Sequence, residues 1–176
     1  SIISSMFGIQ HLVVCVNKID LMEYSEKIFN DIVTGFGEFA EKLNVNIAIE
    51  NVWNNFLLSP MEAANYVDQF QTPIIRFYFD CGNVLVYGWP EQWIKILGKR
   101  IAKVHIKEFS RKIADKQGKS AGFKVNLQEG DVNWSLVMKA LDDIGYNGWT
   151  TIEQPGGNTP EGLKDLCVRL TNIQAS

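Results

Sequence analysis

Val45-Asn46-Ile47-Ala48-Ile49-Glu50-Asn51-Val52-Trp53-Asn54 is the stretch on which the fold turns. It opens as a short apolar run that reads as a buried strand, and it stops abruptly at a carboxylate. A glutamate at the C-terminal tip of a parallel strand faces the end of the sheet where α/β folds place their chemistry. Three later runs stop in the same way, at Asp80, His105 and Glu153.

Outward from this stretch, strand and helix patterns alternate. Upstream, His11-Leu12-Val13-Val14-Cys15-Val16 reads as a buried strand. A helix is predicted from about Ser25 to Leu43, with Ile28, Phe29, Ile32, Val33, Phe36, Phe39 and Ala40 at helical spacing and Gly35 and Gly37 weakening its middle. Downstream, Ser59-Pro60-Met61-Glu62 is a helix start with a Ser cap, Pro at the first helical position and Glu placed for a capping box. Ile74–Phe79 is the third strand, closed by Asp80, and Pro90 opens another helix. Ile101–Ile106 is the fourth strand. Asn133 caps a helix over Trp134–Ile144 that Gly145 ends, Gly148–Glu153 is the fifth strand, and Thr159-Pro160 starts a last helix to about Ile173. Residues 110–130 are polar and weakly patterned, a length of loop that is usually functional or mobile.

Strand–helix repetition without hairpin signals predicts an α/β fold of five βα units with parallel strands. The chain of 176 residues suits a single α/β domain with its own core. A net charge of -3 with scattered basic residues gives no phosphate-tracking stripe, so nucleic acid and anionic membranes are not expected partners. Lys99-Arg100 and Arg111-Lys112 read as solvated faces. Cys15, Cys81 and Cys167 are widely spaced and in apolar contexts, which predicts reduced, mostly buried thiols and a cytoplasmic location. No apolar run reaches membrane-spanning length, and the start lacks a signal peptide. A chain beginning at Ser1 is read as a fragment, a processed product or an engineered chain.

From about Phe36 onward the chain resembles the xylose-isomerase-like TIM-barrel sugar-phosphate isomerases and epimerases, most closely the hexulose-6-phosphate isomerases and sugar-phosphate 3-epimerases. The likeness rests on Ile49-Glu50-Asn51, Phe79-Asp80-Cys81-Gly82-Asn83, Val104-His105-Ile106-Lys107, Glu129-Gly130-Asp131-Val132-Asn133-Trp134 and Thr151-Ile152-Glu153, in order on successive strands. The resemblance implies that Glu50, Asp80, His105 and Glu153 bind one divalent cation. Three carboxylates and one imidazole suit Mn²⁺ or Mg²⁺, and tolerate Co²⁺ or Zn²⁺. It further implies a ketose or ketose phosphate as substrate, with Glu50 and Glu153 as base and acid through an enediolate. Lys107 and Arg111 are candidates for substrate oxygens or a phosphate, with surface salt bridging as the alternative. Asn83, which stands where some relatives carry a histidine, is a further candidate for substrate binding. Asp131 reads as a turn or cap residue. Trp53 either packs, as Trp89 and Trp149 are expected to, or lines the pocket beyond Glu50.

Residues 1–34 are set apart. Phe7-Gly8-Ile9-Gln10-His11-Leu12-Val13-Val14-Cys15-Val16-Asn17-Lys18-Ile19-Asp20-Leu21 resembles translation-factor-type GTPases, most closely the GTPase subunit of sulfate adenylyltransferase. That likeness implies a guanine contact through Asn17, Lys18 and Asp20. The sequence contains no Gly-x-x-x-x-Gly-Lys-Ser/Thr, so useful nucleotide affinity is not expected. The join falls inside the helix Ser25–Leu43, and the whole reads as a chimera carrying the C-terminal half of a barrel.

Five strands cannot close an eight-stranded barrel. The expected architecture is therefore a half-barrel, or alternatively an open flavodoxin-like sheet, with self-association covering its edges. Three functions compete: a metal-dependent isomerase or epimerase, a catalytically inert or engineered chimeric scaffold, and a guanine-nucleotide-binding fragment.

Overall fold

Five parallel strands lie side by side in chain order: β1 (His11–Cys15), β2 (Asn46–Glu50), β3 (Ile75–Asp80), β4 (Ile101–Ile106) and β5 (Thr150–Ile152). The computed structural model describes residues 11–15 and 22–176, with side chains described from residue 30 onward except at position 32. The motif spanning Asn17 to Asp20 lies outside the described residues.

Sequential strand order means that every crossover steps one place in the same direction. With right-handed crossovers, that puts the helices on one face and curls the other face inward, as in a βα barrel. A flavodoxin-like sheet reverses direction and carries helices on both faces. The partial barrel therefore holds and the open-sheet alternative falls.

The helices are α1 (Met22–Lys42), α2 (Pro60–Asp68), α3 (Cys81–Leu85), α4 (Pro90–Leu97), α5 (Arg111–Gln117), α6 (Lys119–Gly122), α7 (Trp134–Asp143) and α8 (Pro160–Gln174). Their starts follow local chemistry. Ser59 Oγ accepts from Glu62 N at 3.1 Å, and the Glu62 carboxylate reaches back to Leu58 N at 2.9 Å. Asn133 Oδ1 caps α7 through Leu136 N at 3.2 Å, and Thr159 Oγ1 caps α8 through Gly162 N at 3.1 Å. Gly145 ends the α7 segment with φ +67, a left-handed angle that glycine adopts without a Cβ clash.

Pairing register separates two faces. Ile47 sits opposite Ile75, Ile49 opposite Phe77, and Phe79 opposite Val104. These side chains point outward and are buried with Val33 and Ala40 of α1, Ala63 and Val67 of α2, Ile94 and Leu97 of α4, and Val137 and Leu141 of α7. The alternate positions line the inner face: Ala48 opposite Arg76, Glu50 opposite Tyr78, Asp80 opposite His105, and His105 opposite Thr151. One extra residue, Ala102, enters β4 between the partners of Phe77 and Tyr78 and keeps Lys103 and His105 on the inner face. The fold thus aims every expected ligand at one concave surface.

The structure corrects several expectations. The segment 110–130 is not a long free loop, since it holds α5 and α6 and packs Phe123 and Leu127 against the core. Its order comes from hydrogen bonds to a buried carboxylate, which leave no hydrophobic period to read. Cys81 is buried as expected, but Cys167 is exposed. Trp53, Trp89 and Trp149 are 44%, 48% and 71% exposed; Trp53 packs at the surface on Phe123 and Trp89 under Arg111, while Trp149 is mostly exposed. Among the described residues, no helix is long and apolar enough to cross a membrane.

Candidate metal centre

The four strand tips converge. One potential ligand atom from each of Glu50, Asp80, His105 and Glu153 lies within 4.8 Å of the others. Register explains how. Glu50 pairs with Tyr78, two residues short of Asp80, and His105 pairs with Thr151, two residues short of Glu153. The stagger advances the ligands along the curled face, as the tilt of barrel strands requires.

His105 Nδ1 stands 2.9 Å from Glu50 Oε1, 3.0 Å from Glu153 Oε2 and 3.6 Å from Asp80 Oδ2. One ring N–H cannot donate well to three carboxylates at once. Burial disfavours the imidazolium, but hydrogen bonds to Asp80, Glu153 and Glu50 outweigh it and push His105 up to about 10. Glu153 is driven the other way, to about 2, first by its hydrogen bond with His105. Burial pushes Asp80 up, and its fully enclosed Oδ2 has no close hydrogen bond, only the longer ion-pair contacts to Lys107 Nζ at 3.5 Å and His105 Nδ1 at 3.6 Å. A buried carboxylate oxygen so weakly paired is costly and can take a stronger partner. Three carboxylates facing one imidazole and one lysine ammonium leave negative charge to spare, and the oxygen-rich donor set fits a hard or borderline divalent cation.

Lys107 joins the cluster. Its Nζ lies 3.2 Å from Glu153 Oε1 and 3.5 Å from Asp80 Oδ2, and 5.1 Å from the centroid of the Phe123 ring. A Cβ on Gly82 would sit 2.9 Å from both Lys107 Cγ and the Lys107 carbonyl oxygen, so a glycine is required where α3 crosses the β4 tip. Trp53 meets Phe123 at 5.7 Å between ring centroids, and the two rings form an aromatic wall beside Lys107.

Two expected substrate-binding residues are engaged elsewhere. The Arg111 guanidinium donates to Leu85 O at 2.9 Å and Gly88 O at 2.7 Å, and lies 4.0 Å over the Trp89 ring. It locks α5 onto the α3–α4 turn, away from the cluster. Asn83 is buried and bridges strand tips: its Nδ2 donates to Asn51 O at 2.9 Å and its N–H to Asp80 Oδ1 at 2.7 Å. Asp131 acts as a cap, with Oδ2 accepting from Arg111 N at 2.6 Å.

Sequence reasoning missed the residues one step beyond each inner-face group. Asn51 exchanges two hydrogen bonds with the Asp80 backbone, at 3.0 and 2.9 Å, and so sets the height of that ligand. Glu108 follows Lys107 and Gln154 follows Glu153, and both are held by hydrogen bonds. A signal was available. A polar residue directly after an inner-face ligand falls on the outward, apolar side, where it persists only if it is hydrogen-bonded.

Sulfate adenylyltransferase subunit 1 of Photorhabdus laumondii is 48% identical over 52 residues, 30% of this chain and 11% of that protein. Among solved structures, a xylose isomerase domain protein from Planctomyces limnophilus superposes with TM-score 0.79 at 19% identity, over 97% of this chain and 60% of that one. The IOLI protein with a bound zinc atom gives TM-score 0.75 at 19% identity, over 98% and 65% of the two chains. A D-tagatose 3-epimerase-like protein gives 0.74 at 21%, over 98% and 66%. The chain therefore spans less than two thirds of these relatives. The model of the xylose isomerase-like TIM barrel matches residues 3–171, and so reaches into the segment that the sequence motifs set apart. With that match over most of its length, the chain belongs to the xylose isomerase-like TIM-barrel family.

Proposed function

We propose that the chain binds one divalent metal ion through Glu50, Asp80, His105 and Glu153, and serves isomerisation or epimerisation of a ketose or ketose phosphate. The observation that carries this reading is the convergence of one potential ligand atom from each of the four residues, with the buried Asp80 Oδ2 making no close hydrogen bond. Mn²⁺ or Mg²⁺ fits the carboxylate-rich set, and the zinc of the IOLI protein keeps Zn²⁺ in view. Glu50, Asp80, His105 and Glu153 would hold the ion, which would supply Lewis acidity toward a ketose carbonyl and its neighbouring hydroxyl.

This chain's own groups do the rest. Glu50, buried on one side, and Glu153, half exposed on the other, take and return the proton at the carbon bearing that hydroxyl. Lys107 holds a substrate oxygen near Glu153, and Trp53 with Phe123 excludes water from one side. The epimerase-like solved structure supports the reaction class. Calorimetric titration with Mn²⁺, followed by solvent deuterium exchange into fructose 6-phosphate or ribulose 5-phosphate, tests the assignment. Exchange absent from the metal-loaded chain would leave the second reading, an inert metal-binding scaffold.

Metal uptake is expected to release a proton from His105. Its pKa of about 10 exceeds the ordinary 6.5, so the charged ring stabilises the metal-free fold fully below about pH 6.5 and loses that effect as the pH rises through about 10. The incoming ion needs the neutral ring, and its affinity should rise about tenfold per pH unit between roughly pH 7 and 9. Calorimetry in buffers of different ionisation enthalpy counts the proton, and a pH-independent affinity would contradict the assignment.

The same reading covers assembly and origin. β1 and β5 are the edges of the described sheet, and Phe36 and Phe39 on α1 and Leu163 and Val168 on α8 are each more than half exposed. Self-association through these edges completes the pocket wall. Sedimentation equilibrium showing monomers at about 100 μM would remove that part of the proposal, since useful interfaces bind more tightly. The short sulfate adenylyltransferase match, over 52 residues, is consistent with a GTPase-like segment in the chain, and the join near residue 35 rests on the sequence motifs. No P-loop accompanies it, so guanine-nucleotide binding ranks last.

A further inference from the structure

We infer that Glu108 and Gln154 form a latch that fixes the Glu153 carboxylate and the 109–134 segment as one unit against the β4 tip. The idea rests on the metal-site reading only for its effect on ion affinity. Neither residue touches the ligand cluster, and both are positioning residues.

Glu108 is fully buried, and its carboxylate accepts four hydrogen bonds. Oε1 takes Phe109 N at 3.2 Å and Val132 N at 3.0 Å, while Oε2 takes Gln128 N at 2.9 Å and Trp134 Nε1 at 2.8 Å. These donors come from the two ends of the segment that a hydrophobic reading leaves shapeless. A Cβ on Gly130 would stand 2.5 Å from Glu108 Oε1, so the backbone closes directly over the carboxylate. Gln154 works from the other side. Its Oε1 accepts from Glu108 N at 2.8 Å, and its Nε2 donates to Phe123 O at 3.3 Å and to Val125 O.

The consequence is geometric. Gln154 is adjacent to Glu153, and Glu108 to Lys107, so one polar link joins the backbones carrying both members of the Glu153–Lys107 ion pair. The same link sets the height of Phe123, whose ring lies against Trp53 and under the Lys107 ammonium. Beside this link, Glu153 is tied to β4 through its own N–H, which donates to Ile106 O at 3.1 Å one residue past the end of β5 at Ile152. Outer partners of this kind orient ligands, and losing them costs about 10–100-fold in metal affinity.

The test compares the full chain with Gln154→Met, which keeps the volume and removes all three hydrogen bonds, and with Glu108→Gln, which turns acceptors toward donors. Two readouts are needed. In the metal-free native state, trypsin cleavage after Lys119 and Lys124 should accelerate about tenfold in Gln154→Met, as a local opening freed of its tether predicts. Mn²⁺ affinity of the folded chain should fall about 10–100-fold, beside a modest fall in the metal-free unfolding midpoint in urea from the same lost hydrogen bonds. Gln154→Glu, which can still accept from Glu108 N, should recover part of the affinity. A merely structural role would lower the midpoint and leave affinity and its partial rescue unmoved, and that result overturns the latch. Unchanged cleavage in Gln154→Met overturns it as well. A wild-type chain that takes up no Mn²⁺ removes the metal-site reading alone, and the cleavage rates then decide the latch.

Discussion

Asp80→Asn should abolish Mn²⁺ binding in the measurable range, a loss beyond about 100-fold, while leaving the metal-free chain as stable or more so. A direct ligand should cost more than the 10–100-fold typical of outer partners. The opposite sign for stability comes from burial. Asp80 is fully enclosed, burial raises its pKa, and Oδ2 has only long ion-pair contacts to Lys107 and His105. A carboxyl whose folded pKa is raised is harder to ionise folded than unfolded, so at neutral pH its charge works against the metal-free fold. Asparagine keeps an oxygen for the α3 cap, where Asp80 Oδ1 now accepts from Asn83 N at 2.7 Å, and removes the buried charge. Calorimetry with Mn²⁺ and urea unfolding in a chelator read the two effects separately. A variant that still binds Mn²⁺ within tenfold of wild type would place the ion elsewhere, and a large loss of metal-free stability would mean that Lys107 and His105 already satisfy the carboxylate.

Glu153→Gln carries the second large effect. Removing a positioned general base or acid costs about 10²–10⁴ in rate, so deuterium exchange into the ketose phosphate should fall by that factor. Metal affinity should fall less than in Asp80→Asn, because the Glu153 side chain is 49% exposed and water can take its place. Its position fits the role: Oε2 faces His105 Nδ1 at 3.0 Å and Oε1 faces Lys107 Nζ at 3.2 Å, which hold it as the carboxylate with its pKa near 2. When a bound ion displaces the His105 proton, part of that restraint goes and the carboxylate becomes more basic. Exchange measured at saturating Mn²⁺ separates the two losses. If the variant, once saturated, exchanges as fast as wild type, Glu153 is a ligand without a proton-transfer role.

Much of the site was legible because its residues occupy strand ends. Glu50, Asp80, His105 and Glu153 each close an apolar run, and a side chain at a strand tip needs only the period of two to be placed on a face. Arg111 was misplaced because its distance along the chain from His105 says nothing of direction, and α5 turns its guanidinium onto Leu85 and Gly88 carbonyls. Asn83 looked available because a lone polar residue after a strand gives no sign of the backbone oxygen it will meet, here Asn51 O.

By itself the sequence determined the order of the five strands and of the longer helices between them, the parallel α/β class and the four residues at the strand tips, because these follow from local periodicity and capping. Only the tertiary structure decided that successive strands pair in order and curl into a partial barrel. It alone brought the ligand atoms within 4.8 Å and placed Glu108 under Val132 and Trp134. The physical reason is that register, stagger and buried hydrogen-bond partners are long-range quantities, set by which surfaces must leave water together and by which polar atoms they trap.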